Sequence, residues 1–93
     1  MKDKIALVTG SSRGIGRAIA LRLADDVGTV AVHFRKDRKN AEQTVQSIES
    51  KGASSAMFPA DLIDREGVLR LIEEVRQVFG KIDILVNNFG PIM

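Results

Sequence analysis

The chain has no cysteine, no tyrosine and no tryptophan, and only one histidine. Without cysteine there is neither a disulfide framework nor a thiolate metal site. A single histidine leaves too few ligands for structural zinc, so no metal is expected. Nor does any apolar run approach the roughly 18 residues that span a bilayer. After Met1-Lys2-Asp3-Lys4 only Ile5-Ala6-Leu7-Val8 follow before polar residues return, which is too short for a signal-peptide core and long enough for a strand. A cytoplasmic location without a membrane partner is the expectation. The net charge of +2 is too small to point to nucleic acid, although the calculated pI is 9.3. The one basic cluster, Arg35-Lys36-Asp37-Arg38-Lys39, reads for most of its members as a solvated loop.

What is present is an ordinary globular balance, 44% hydrophobic and 28% charged, in 93 residues, enough for at most one small domain. Four short apolar runs, Ile5–Thr9, Thr29–Phe34, Ser54–Phe58 and Ile82–Val86, alternate with three helical patterns. Their length and lack of polar alternation predict strands buried on both faces of a parallel sheet. The first helix is predicted to begin near Gly14, with Ile15, Ala18, Ile19 and Leu23 on one face. The second runs from about Asn40 to Lys51 through Ala41, Val45 and Ile48, and Gly52 ends it. The third opens at the N-cap Asp64, carries Val68, Leu71, Ile72, Val75 and Phe79, and closes at Gly80. A β-α-β-α-β-α-β order with right-handed crossovers gives an α/β, Rossmann-type parallel sheet with helices on both faces.

The first strand runs through Thr9-Gly10-Ser11-Ser12-Arg13-Gly14-Ile15-Gly16 directly into a helix. A phosphate needs a tight turn there, which Gly10 permits by tolerating positive φ. It also needs close backbone N–H donors, which the missing Cβ at Gly14 allows. The third need is a helix N-terminus aimed at the charge, with Gly16 letting that helix lie against the strand. The G-x-x-x-G-x-G spacing between a strand and a helix carries the signal. A P-loop is excluded, because no Gly-Lys-Ser/Thr follows, and G-x-S-x-G does not occur.

Thr9-Gly10-x-x-x-Gly14-Ile15-Gly16 resembles the cofactor motif of the short-chain dehydrogenase/reductase family. Asn87-Asn88-Phe89-Gly90 resembles its Asn-Asn-Ala-Gly motif, with Phe89 in place of the usual alanine. Within the family the sequence is similar to the 3-oxoacyl-(acyl-carrier-protein) reductase group, through Ser-Arg-Gly-Ile-Gly. The resemblance implies strand order 3-2-1-4 and a nicotinamide dinucleotide as cofactor. It implies that Asn87 and Asn88 brace sheet and loop, and that Asp61 lies near the adenine amino group. A turn or cap role for Asp61 is the competing reading. Leu62, by position alone, would pack on the adenine ring.

The end of the second strand decides which dinucleotide. An acid there accepts from the ribose 2′-hydroxyl and repels a 2′-phosphate, whereas arginine does the opposite. The strand ends His33-Phe34-Arg35, with no acid before Asp37. Arg13 holds the place of a basic residue that in the family often joins in, so NADP is favoured over NAD, with Lys36 a weaker third cation. His33 reads as a strand-end side chain, since a lone histidine supports no catalytic pairing. The expected cofactor-binding set is Gly10, Ser12, Arg13, Gly14, Ile15, Gly16, Arg35, Asp61, Leu62, Asn88 and Gly90.

No catalytic residue is assigned. The family's proton donor is a tyrosine four residues before a lysine, and there is no tyrosine at any position. Residues 1–93 are therefore expected to be the N-terminal part of one dinucleotide-binding domain, with the catalytic half absent, an exposed fourth strand, and no carbonyl-reductase activity alone. The parent is expected to be an NADP-dependent oxidoreductase. It would interconvert a ketone and an alcohol, or act on an acyl thioester, by hydride transfer, as a homo-oligomer (tetramer or dimer). The alternative is a non-catalytic dinucleotide-binding or sensing module. A methyltransferase-like fold would want an acid where Arg35 stands.

Overall fold

Branched and small apolar residues in short runs favour extended chain that can be covered on both sides. The computed structural model describes residues 1–88, in which this tendency produces β1 (Ile5–Val8), β2 (Thr29–Phe34), β3 (Ser54–Pro59) and β4 (Ile84–Val86). Between them lie α1 (Gly14–Leu23), α2 (Arg38–Ser50) and α3 (Arg65–Phe79). The strands form one parallel sheet in the order β3-β2-β1-β4, with Val8 opposite Val32 on one side and Val86 on the other. That is the order the family resemblance implies.

Because side chains alternate across a strand, the sheet divides the core in two. Ala6, Val8, Val30, Val32 and Phe34 face α1 and α2 and meet Ala20, Ala24, Ala41 and Ile48. Leu7, Ala31 and Phe58 face the other way, onto Leu71 and Val75 of α3. Only β1 and β2 are buried on both faces; β3 and β4 are edges among the described residues, and Leu85 is 53% exposed. Burial on both faces therefore holds for the central pair, the exposed β4 is as expected, and β3 is the strand that departs from the expectation. No helix of the described residues is long and apolar enough to cross a membrane.

Two helices depart from their sequence reading. α1 turns Gly16, Ala20 and Ala24 onto the sheet, while Ile15 (73% exposed) and Ala18 face outward and Ile19 and Leu23 are half-buried. The small residues win because they let the helix approach closely. α2 starts at Arg38, two residues before the expected Asn40, because Asp37 caps it by accepting from the Asn40 N–H at 3.3 Å. Part of the basic cluster is thus helix, not loop. α3 follows expectation: Asp64 accepts from the Gly67 N–H at 2.9 Å, and Gly80 ends the helix with φ 92°. β4 begins at Ile84 rather than Ile82, since Ile82 packs in the core under α3 and Asp83 accepts from the Ile5 N–H at 2.8 Å.

Candidate functional site

The turn after β1 is shaped by its glycines. Gly10 and Gly14 have φ of 61° and 64°, in the left-handed region where a side chain is strained. Gly16 is required by proximity: a Cβ there would overlap the Gly10 carbonyl oxygen and stand 2.6 Å from Asn88 Nδ2. A Cβ at Gly14 would meet nothing, so the outer side of the turn is open.

The turn's first two amides are engaged within the protein. The Gly10 N–H donates to His33 Nδ1 at 2.9 Å, and the Ser11 N–H donates to the His33 carbonyl at 3.0 Å. Ser11 Oγ accepts from the His33 N–H at 3.0 Å and donates to the Val8 carbonyl at 2.7 Å. The donors left for an anion therefore include those of the first turn of α1, Gly14 to Gly16, where a helix has no internal acceptors. The α1 ladder opens with Arg17 N–H to the Arg13 carbonyl at 3.3 Å, and the Arg13 side chain does not cap the helix. The partial positive end of α1 faces the same opening.

His33 is buried at the end of β2. With Nδ1 accepting from Gly10, Nε2 carries the proton and donates to the Ala60 carbonyl at 2.9 Å. Burial pushes the imidazole pKa below its ordinary 6.5, partly opposed by the Ala60 bond, so the ring is neutral at pH 7.

Two further ties fix the turn. Thr44 of α2, fully buried, directs its hydroxyl to the Ser12 carbonyl at 3.2 Å and the Asn40 carbonyl at 3.1 Å. Asn88, just past β4, donates from its backbone to Thr9 Oγ1 at 2.8 Å and from Nδ2 to the Gly10 carbonyl at 3.3 Å.

These ties leave an open cleft of about 620 Å³ lined by Gly10, Ser12, Arg13, Gly14, His33, Phe34, Arg35, Lys36, Asp37 and Asn88. Its charge is mainly cationic. The one carboxylate, Asp37, bonds Asn40 Nδ2 at 2.6 Å as well as the Asn40 N–H. The Asn40 side-chain bond foremost, with the Asn40 N–H and the Arg13 charge, holds its pKa below the ordinary carboxylate value against the opposing effect of desolvation. Arg38 is turned aside over the Phe34 ring, 5.6 Å from its centroid.

The structure thus gathers Gly10, Ser12, Arg13, Gly14, Arg35 and Asn88 of the expected set around one cleft, with Ile15 and Gly16 next in line on α1. Asp61 and Leu62 stand apart. Asp61 is exposed and accepts from the Ile63 N–H at 3.1 Å, the turn role that competed with the adenine role. Leu62 is 2% exposed and packs with Leu7, Ala31, Phe58, Leu71 and Val75, so its side chain is core and not a wall of the cleft. Gly90, with Phe89 and Pro91, lies outside the described residues. Sequence reasoning missed His33, Asp37 and Thr44. The signal for His33 was the parallel register, which pairs Val32 with Val8 and so sets the next residue beside the start of the glycine turn.

The family model for short chain dehydrogenases matches residues 4–92. A 3-oxoacyl-[acyl-carrier-protein] reductase of Staphylococcus aureus is 47% identical over 87 residues, covering 94% of this chain and 35% of that protein. The chain therefore spans about a third of the length of the curated relatives it matches. Among solved structures, a dehydrogenase of Burkholderia cenocepacia with bound NADP superposes with a TM-score of 0.88 at 36% identity, over 91% of this chain and 33% of that one. An NAD+-bound xylitol dehydrogenase also gives 0.88 at 36% identity, over 97% and 34%. The two neighbours carry different dinucleotides in one fold. With a family match along nearly its whole length, and with the strand order and glycine turn described above, this chain belongs to the short-chain dehydrogenase family.

Proposed function

We propose that the cleft binds NADP(H) in preference to NAD(H), and that residues 1–93 are the cofactor-binding part of one dinucleotide-binding domain. The observation that carries this reading is the convergence of Arg13 and Arg35 on one cleft whose only carboxylate is committed to capping α2. A 2′-phosphate is a dianion near neutral pH, and two guanidinium groups offer it charge-assisted bonds that a 2′-hydroxyl does not use. The residues suit the group in other respects. Gly14 leaves the approach to the turn open, and the opening amides of α1 are free of internal acceptors for a pyrophosphate. Gly10, Ser12, Ile15, Gly16 and Asn88 would shape and support that seat, and Gly90 would continue it. Asp61 retains an exposed carboxylate for the adenine end, whereas Leu62 serves the core.

When bound, the cofactor supplies a hydride. This chain's residues bind and orient it, and the proton-donating tyrosine of the family is not among them. For the parent protein the reading is an oxidoreductase interconverting a ketone and an alcohol. The likeness to a 3-oxoacyl-[acyl-carrier-protein] reductase supports an acyl-thioester substrate.

The test is Arg35→Asp, followed by titration with NADPH and NADH. Loss of one charge-assisted bond, worth about 1.5–3 kcal/mol, weakens NADPH by roughly tenfold to a hundredfold while NADH is unchanged or tighter. If NADPH binds the variant as it binds the original chain, Arg35 is not a 2′-phosphate ligand.

A further inference from the structure

We propose that His33 is the positioning residue of the nucleotide turn: its neutral imidazole, protonated at Nε2, holds the Gly10 amide through Nδ1 and thereby sets the turn for the dinucleotide. The proposal rests on the cofactor reading above and extends it to a residue that need not touch the cofactor's phosphates to govern them. The geometry is a bridge. Nε2 is anchored on the Ala60 carbonyl at the end of β3, and Nδ1 holds Gly10 at the end of β1, both at 2.9 Å. The ring therefore spans from one edge strand, through β2, to the turn. Its backbone does the same for Ser11, in both directions.

The turn needs such a bridge. Gly10 is in a left-handed conformation that glycine tolerates but does not prefer over its other regions, so something outside the turn must select it. Asn88 holds the Gly10 carbonyl, and His33 holds the amide. The Gly10 carbonyl already lies against Gly16, where an added Cβ would overlap it, so the start of α1 is seated directly on Gly10. Fixing Gly10 therefore fixes where α1 begins and where its opening amides point.

The bridge works in one protonation state. A proton on Nδ1 would face the Gly10 N–H, donor against donor. The charged groups around the ring are Arg13 from the β1–α1 turn, Arg35, Lys36 and Asp37 after β2, and Asp61 after Ala60. Of the carboxylates, Asp37 is bonded to Asn40 and Asp61 to the Ile63 N–H.

His33 is the only histidine in the chain, which makes its imidazole resonances unambiguous. In 15N-labelled protein at pH 7.5, the Nε2–H tautomer is expected, with the Gly10 amide protected from exchange. On acidification the Gly10 amide resonance should move with the midpoint of the imidazole. An Nδ1–H tautomer, or a Gly10 amide indifferent to the ring's titration, overturns the proposal. NADPH titration of variants is the second readout. Asn places a polar atom at the same number of bonds from Cβ as Nδ1, and Gln at the same number as Nε2. His33→Asn should therefore bind within about threefold of the original chain, while His33→Gln and His33→Ala lose about tenfold or more. Equal binding by all three variants also overturns it. If the original chain bound no NADPH, the cofactor reading would fall, while the tautomer and the Gly10 exchange would still decide whether His33 holds the turn.

Discussion

Replacing Gly16 with alanine sets two effects of known sign against each other. In a solvent-facing helix position the change stabilises by about 0.8–1 kcal/mol, because alanine loses less backbone entropy. At Gly16 the new Cβ falls on the Gly10 carbonyl, 2.8 Å from its carbon and 2.6 Å from Asn88 Nδ2. The obstruction is backbone, and it is held on both sides, through its N–H by His33 and through its oxygen by Asn88. Relief requires α1 to lift from the turn or Gly10 to leave its partners. Overpacking of this kind costs about 1–3 kcal/mol, and the pinned neighbour argues for the upper end. The net is a loss of about 2 kcal/mol, which in a domain of this size lowers Tm by roughly 8–16 °C. Thermal unfolding followed by circular dichroism measures it. Ala18→Gly, two residues on and exposed, supplies the propensity effect alone for the same helix. If Gly16→Ala raises Tm, propensity has won and the close approach of α1 to Gly10 does not exist in solution.

Other outcomes follow from the same contacts. Thr44→Val leaves the buried Ser12 carbonyl without its hydroxyl partner and should cost about 1–2 kcal/mol, seen as a lower urea midpoint; an unchanged midpoint would mean the bond contributes nothing. Because the His33 pKa is lowered on folding, its contribution to stability is complete above the ordinary 6.5 and falls as pH drops through the folded value. Urea midpoints between pH 5 and 7.5 should show that decline, and His33→Asn should flatten it. Asp83, whose pKa is lowered first by the Ile5 N–H and then by Lys81, gives stability present above 3.8 and lost below it. Asp83→Asn should reduce acid sensitivity in that lower window, and an unaltered acid limb would argue against the β4–β1 tie.

The parts of this fold legible in the sequence were those marked by backbone necessity. Gly10, Gly14 and Gly16 sit where a turn and a close approach demand glycine, and Asp64 and Gly80 punctuate α3 by capping chemistry that is local in sequence. The face of α1 was misread because its contact residues, Gly16, Ala20 and Ala24, are too small to stand out beside Ile15 and Leu23. Burial there is decided by proximity to the sheet, not by hydrophobicity. Asp37 was hidden in a run of charges that looked like solvated loop. His33 and Thr44 act on partners 23 and 32 residues away, and such contacts exist only after the parallel pairing has brought β2 and α2 beside the turn. Leu62 was assigned to the adenine from its position after β3, but the chain turns it inward under α3.

The central claim is that the cleft distinguishes a 2′-phosphate from a 2′-hydroxyl. Isothermal titration of this chain with NADPH and with NADH, at one pH and one salt concentration, measures that difference directly. With Arg13 and Arg35 both engaged, NADPH should bind at least about tenfold more tightly, and the difference should shrink as salt screens the guanidinium groups. Equal affinities, or tighter binding of NADH, would contradict the account.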